Sequence, residues 1–159
     1  MDVELSLTTQ LIHEAPIAEP LIVAPETPVR DVLRRLQELR TGSVLVCRDD
    51  RLVGIFTERD ALRLMARACH EGESLFDGPI AEVMVTSPVT LTQDASIASA
   101  IRKMSEGGYR RLPVVDTQGR PQGMLTVSGI VHFLVEHFPG TVYNLPPDPK
   151  PAPQEREGA

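Results

Sequence analysis

The chain has 159 residues, 42% of them hydrophobic, only 4% aromatic, no tryptophan, and a formal net charge of −6. This length holds one compact domain or two small ones in contact, and the apolar content excludes global disorder. The negative balance excludes broad, sequence-independent nucleic-acid binding, which needs phosphate neutralisation, yet leaves room for a local arginine pocket that takes one small phosphate.

From the N-terminus, residues 1–19 are a mixed lead-in in which Thr8–Glu14 is expected as a short helix before Pro16. Pro20–Val23 reads as a short strand. Thr27 is expected as a cap with Pro28 at the first helical position, where a missing N–H costs nothing. Val29, Val32, Leu33, Leu36 and Leu39 then recur at helical spacing, predicting an amphipathic helix over 28–40 that Gly42 ends. Ser43–Cys47 and Leu52–Phe56 form a hairpin around Asp49-Asp50. Thr57 caps a helix reaching about His70, with Leu62, Met65, Ala66 and Cys69 on one face. Residues 71–78 read as a linker and Pro79–Val85 as a short helix.

The same plan then returns. Val89–Leu91 is a strand. Ser96 caps a helix with Ile97, Ile101 and Met104 turned inward, ending at Gly107-Gly108. Leu112–Asp116 and Gln122–Leu125 flank a turn at Thr117-Gln118-Gly119, and Thr126 caps a last helix to about Phe138. Pro20–Val23 matches Pro88–Leu91 at an offset of 68, and Gly54–Asp60 matches Gly123–Gly129 at 69. The boundaries so read are 20–70 and 88–138 for the two copies, with 71–87 between them. One such unit is marginal alone; two can cover each other's apolar sheet faces. Residues 139–159 carry six of the chain's 14 prolines and read as an extended tail, with Val142-Tyr143-Asn144-Leu145 as its one docking candidate.

Two cysteines, Cys47 and Cys69, make no disulfide framework, and their apolar sequence neighbours suggest buried thiols in a reduced, cytoplasmic setting. The acidic opening Met1-Asp2-Val3-Glu4 is unlike a signal peptide, and no apolar run approaches membrane-spanning length. Neither secretion nor membrane insertion is therefore expected.

Several segments together carry a family resemblance. They are Thr27–Leu33, Ser43–Val46 and Leu52–Asp60 in the first copy, and Tyr109–Asp116 and Gly123–Thr126 in the second. Each copy resembles a CBS domain, and about residues 16–138 resemble a tandem pair, or Bateman module. The resemblance implies a mixed α/β (α+β) fold of two repeats, each a small three-stranded sheet with two helices, packed as a pseudo-twofold pair. It also implies a regulatory module, needing no cofactor, that takes AMP, ADP, ATP or S-adenosylmethionine in clefts between the repeats and assembles as a homodimer.

The residues support a nucleotide site on their own chemistry. Thr57 stands where a strand becomes a helix, a place whose N–H groups and partial positive charge suit a phosphate. Asp60, one turn in, offers a carboxylate to a ribose diol. The same Thr57–Asp60 spacing also reads as a plain capping box. Gly54 is expected to let a ligand near the backbone. Leu21, Ile22, Val23 and Gly42-Ser43 are candidates for an adenine slot. Arg110 and Arg111, with Arg59, are candidate phosphate ligands or else solvated side chains; Tyr109 is a candidate to stack on a base, or else packs on the hairpin, the favoured reading. The candidate set is thus Thr57, Arg59, Asp60, Ile22, Val23, Ser43, Arg110, Arg111, Pro113 and Thr126. In the second copy Gly129 stands where the first has Asp60, so the second site loses its acceptor, while Thr126 stays a candidate for a phosphate or a differently held ligand.

His13, His70, His132 and His137 lack zinc spacing, and no nucleophile elbow or phosphate loop occurs, so no catalysis is expected. Two functions compete. One is an adenosine-nucleotide sensor read by an unidentified protein partner. The other is a ligand-independent dimerisation or adaptor module. Nucleic-acid binding by the arginine segment is a third reading that the acidic balance disfavours.

Overall fold

The structure is a computed structural model that describes residues 7–143. In the front half, Leu21–Val23 (β1) leads through helix Val29–Glu38 (α1) to Ser43–Arg48 (β2), which turns back as Arg51–Thr57 (β3) before helix Glu58–Glu71 (α2). Asp49 and Asp50 both take left-handed backbone (φ 49° and 61°), the twist a tight hairpin turn requires. β1 runs parallel to β2, and β2 antiparallel to β3. A fourth strand, Val85–Thr86 (β4), closes the open edge of β3.

The second half repeats the plan with helix Ile97–Gly107 (α3), the hairpin Arg111–Val115 (β5) and Pro121–Thr126 (β6), helix Val127–His137 (α4), and a short helix Pro139–Tyr143 (α5). The strand expected at Val89–Leu91 is reduced to one parallel bridge from Leu91 to Val114. Leu91 is fully buried while Val89 is exposed, so only one residue of the segment is held to the sheet. The mixed α/β fold of two packed repeats follows, with one hydrophobic cluster per repeat.

The segments between the repeats do more than connect them. Ile12, from the lead-in, is buried in the cluster of the second repeat with Leu91, Ile97 and Phe133. Ile80, from the stretch after α2, is buried in the cluster of the first repeat with Val23, Val29 and Phe56. The backbone repeats this exchange. Ile12 donates to the carbonyl of Ala95 and Ile97 to that of Gln10, while Ile80 donates to Thr27 and Val29 to Gly78. Each residue of the second pair lies 68 positions from its counterpart, so the two copies obey one pseudo-twofold rule. Pro79–Val85 is therefore a short 3-10 turn at Ile80–Glu82 followed by β4. Thr8–Glu14 likewise resolves into one helical turn at 7–9 and a 3-10 turn at Ile12–Glu14.

Local departures have local causes. Pro28, in extended backbone, takes the place before α1, because Thr27 spends its amide on Ala24 and its carbonyl on Ile80. Arg40, at φ 49°, ends α1 in place of Gly42. The Thr41 N–H then reaches the Leu36 carbonyl, as the Tyr109 N–H reaches Met104 after Gly108 (φ 65°) in the second copy. These are paired left-handed helix ends. On α2 the buried positions are Ala61 and Leu64, while Leu62 and Met65 are exposed. Cys69 is exposed and Cys47 half-buried, so the expected burial of both thiols is corrected. Residues 139–143 form α5 where an extended tail is expected from the prolines, and residues 144–159, with Asn144 and Leu145 of the docking candidate, lie outside the described residues. No described helix is long and apolar enough to cross a membrane.

Because Ile12 is 0% exposed, Ile12→Ala should cost about 2–5 kcal/mol of stability in denaturant titration. Cys69→Ser on the exposed face should stay within about 0.5 kcal/mol of the parent in the same titration.

Candidate functional site

The site grows from the β3–α2 junction. Thr57 ends β3 in extended backbone, and its hydroxyl accepts from the Asp60 N–H at 3.4 Å. Asp60 answers with one carboxylate oxygen, Oδ2, which accepts from the Thr57 N–H at 2.9 Å and from the Thr57 hydroxyl at 2.6 Å. This reciprocal pair is a capping box closed by a short charged hydrogen bond. Among the described residues its other oxygen, Oδ1, meets only the Arg63 guanidinium, at 3.6 Å. One face of the carboxylate thus holds the helix start and the other remains available to a ligand.

The junction opens on a cleft of about 510 Å³ between the repeats. From the first repeat it is lined by Ile55, Thr57, Glu58, Arg59, Asp60, Leu62 and Arg63, with Gly42 at the start of β2. The second repeat contributes Tyr109, Arg110 and Arg111 from the start of β5, and Val85 comes from β4. Arg111 leans across the junction, so that a Cβ on Gly42 would run into its guanidinium. There it faces Glu58 at 3.9 Å. The size falls within the range of about 300–1,000 Å³ usual for small-molecule sites.

Of the residues expected from the sequence, the cleft unites Thr57, Arg59, Asp60, Arg110 and Arg111. Ile22 instead lines a separate cleft of about 320 Å³, with Cys47, Asp50, Arg120, Pro121 and Gln122. Val23 and Ser43 are buried, Val23 in the first core and Ser43 in the β2–β3 ladder. Pro113 is buried in β5 against Met124. The apolar wall comes from Ile55, Leu62, Val85 and Tyr109 in place of Ile22 and Val23. The alternation of β3 puts Ile55 and Thr57 on one face of the strand, a signal the sequence carried. The part played by Val85 depends on β4 docking. Tyr109 is exposed; its ring lies over Gly107 at the end of α3 and lines the cleft.

Gly54 has a structural role. A Cβ there would collide with the Met84 thioether, so the glycine admits a side chain of the protein where a ligand was expected. Three of the four backbone amides from Thr57 to Asp60 are already engaged. The Thr57 and Asp60 amides are spent on each other's side chains, and the Glu58 N–H donates to the Gly42 carbonyl at 3.1 Å.

In the second repeat Thr126 caps α4 by accepting from the Gly129 N–H at 2.9 Å. A Cβ at Gly129 would sit 2.7 Å from the Pro16 carbonyl oxygen. The lead-in closes over the place a second carboxylate would need, and Thr126 caps its helix as Thr57 does. In the smaller cleft, burial and the nearby Asp50 push the Cys47 thiol above its ordinary pKa, which argues against a reactive thiolate. Among the described residues no cluster of histidine, cysteine and acidic side chains has the makings of a metal site.

Comparison with known proteins places these features. The family model for the CBS domain matches twice, over residues 12–67 and 80–136. The CBS domain-containing protein CBSCBSPB3 of Arabidopsis thaliana is 27% identical over 88% of this chain. Inosine-5'-monophosphate dehydrogenase of Thermoplasma acidophilum is 33% identical over 72% of it. The chain spans about a quarter of the length of these curated relatives, 25% and 22%. Among solved structures, CBSX2 in complex with AMP superposes with a TM-score of 0.70 at 26% identity, covering 80% of this chain and 97% of that one; the protein is from Arabidopsis thaliana. A CBS domain-containing protein of Thermotoga maritima shares the fold with a TM-score of 0.70 at 24% identity, over 80% and 96% of the two chains.

Gly129→Asp should therefore lower stability by about 1–3 kcal/mol, the cost of overpacking against backbone, and should create no second ligand site. Thermal unfolding with and without nucleotide checks both halves of that statement.

Proposed function

The chain belongs to the CBS-domain family, with two copies in one polypeptide, and on that premise we propose that it is a non-catalytic regulatory module binding an adenosine nucleotide in the cleft at Thr57 and Asp60. The observation that carries this reading is the meeting of three chemistries in one cleft: a carboxylate with one oxygen uncommitted to the helix cap, an apolar wall, and arginines from both repeats. Asp60 Oδ1 accepts from the ribose hydroxyls once Arg63 swings aside. Ile55, Leu62, Val85 and Tyr109 take the flat base by burial and stacking. The arginines take the phosphate in bidentate fashion. The AMP complex of CBSX2, which has the same fold at 26% identity, supports an adenosine ligand of this kind.

Binding acts on the fold because the walls belong to different repeats. A ligand held by Asp60 on one side and Arg110 or Arg111 on the other ties the two together and shifts the population toward the closed arrangement. We read the module as cytoplasmic and as a homodimer. The dimer is favoured by a specific observation: Leu62 and Met65 on α2 and Val127 and Val131 on α4 are all exposed. Leu62 and Val131 occupy equivalent positions in the two repeats, so the apolar faces form a self-matching pair suited to twofold association. This face also serves the adaptor reading, in which the dimer forms without ligand.

AMP or ADP should raise the melting temperature, since a ligand that binds only the folded state stabilises it. Asp60→Ala should weaken binding by about 1.5–3 kcal/mol and, through the lost cap, cost about 1 kcal/mol of stability. Calorimetry on folded protein that detects no adenosine ligand would sink the sensor reading. For the dimer, Leu62→Asp with Val131→Asp should give a monomeric mass in light scattering, whereas an unchanged mass would remove this face from the interface.

A further inference from the structure

The cleft is electrically unlike the rest of the chain. It is lined by four arginines, Arg59, Arg63, Arg110 and Arg111, against two acids, Glu58 and Asp60, in a protein whose net charge is −6. The four are not equivalent. Arg63 faces Asp60 at 3.6 Å, and Arg111 faces Glu58 at 3.9 Å. Arg59 and Arg110 have no ion pair or side-chain hydrogen bond among the described residues, and both are exposed at the mouth. With the Thr57, Glu58 and Asp60 amides taken by Asp60, Gly42 and Thr57, the backbone at the start of α2 leaves the Arg59 N–H to an anion, and the further donors come from these guanidinium groups.

Building on the adenosine reading, we infer that this cleft ranks adenosine ligands by their phosphate charge, and that Glu58 is the counterion a phosphate displaces from Arg111. A neutral adenosine leaves Arg59 and Arg110 uncompensated, and a sulfonium such as S-adenosylmethionine adds a further positive charge beside them. One phosphate satisfies one guanidinium fork; two or three reach Arg110, Arg111 and Arg59 together. The Arg111–Glu58 contact joins β5 of the second repeat to α2 of the first. Its exchange for a phosphate replaces a long, exposed ion pair, which contributes little, with a bridge of higher charge between the same two elements. Glu58 thereby acts as a tethered competitor that sets the threshold for phosphate binding.

The test is calorimetry of the full chain with adenosine, AMP, ADP, ATP and S-adenosylmethionine, magnesium-free, at low and high salt. Affinity should climb by about tenfold or more from adenosine to ADP. The ATP constant should weaken with salt while the adenosine constant stays nearly flat. Arg110→Gln, at an exposed position, should erase most of the gain from adenosine to ADP. Glu58→Gln should tighten ADP and ATP several-fold relative to adenosine. Inorganic pyrophosphate should compete with ATP but not with adenosine. S-adenosylmethionine or adenosine binding as tightly as ATP, or Glu58→Gln weakening ATP, would overturn the inference while leaving the adenosine site standing. Pyrophosphate bound at these arginines with no adenosine compound bound would do the reverse, upholding charge selection and removing the adenosine site.

Discussion

The reciprocal burial of two isoleucines holds this molecule together. Ile12 leaves the lead-in to fill the second core, and Ile80 leaves the connecting stretch to fill the first. Each repeat is too small to exclude water from its own sheet and helices, and each borrows the missing side chain from the segment that precedes the other. The borrowed segments bring their backbones with them, so β4 closes the edge of β3 and Ala18 bridges to Met124 in β6. An exposed strand edge is an invitation to pair with another chain; here the connection itself covers it.

That exchange sets where the chemistry lies. It holds the start of β5 against the start of α2, so Arg111 reaches over Gly42 to Glu58. It also lays Val85 beside Ile55 as one wall of the cleft. The same docking distinguishes the two halves. Over Asp60 the covering segment leaves a cleft; at Gly129 the Pro16 carbonyl comes so close that only glycine fits. The asymmetry of the pair is therefore one of backbone approach, and the aspartate-to-glycine difference is its imprint in the side chains.

Features that depend on near neighbours in the chain were legible in the sequence. The hairpins, the caps at Thr57, Ser96 and Thr126, and the left-handed Gly108 all rest on contacts within a few residues. The doubled plan was legible because both copies obey the same local rules. Misreadings arose where local chemistry allows two outcomes. Leu62, Met65, Ala66 and Cys69 make as good an apolar stripe as Ala61 and Leu64, and only the packing of α2 on its sheet selects the latter. Gly54 signals a close approach, but whether by a ligand or by Met84 is settled by residues far away in the chain, as is the place of the Arg111 guanidinium against Gly42.

For the candidate site the division is the same. The Thr57–Asp60 spacing by itself determined a capped helix start with a carboxylate beside it, because i,i+3 geometry is set within one helical turn. The arginines of Tyr109-Arg110-Arg111 were visible as residues but not as neighbours of that carboxylate. Joining them and walling the cleft with Ile55 and Val85 needed the packing of one repeat against the other, while the sheet of the first repeat itself took Val23 and Ser43 into its interior. Such contacts span tens of residues, and they are chosen by which apolar faces bury together, a choice no short stretch of sequence contains.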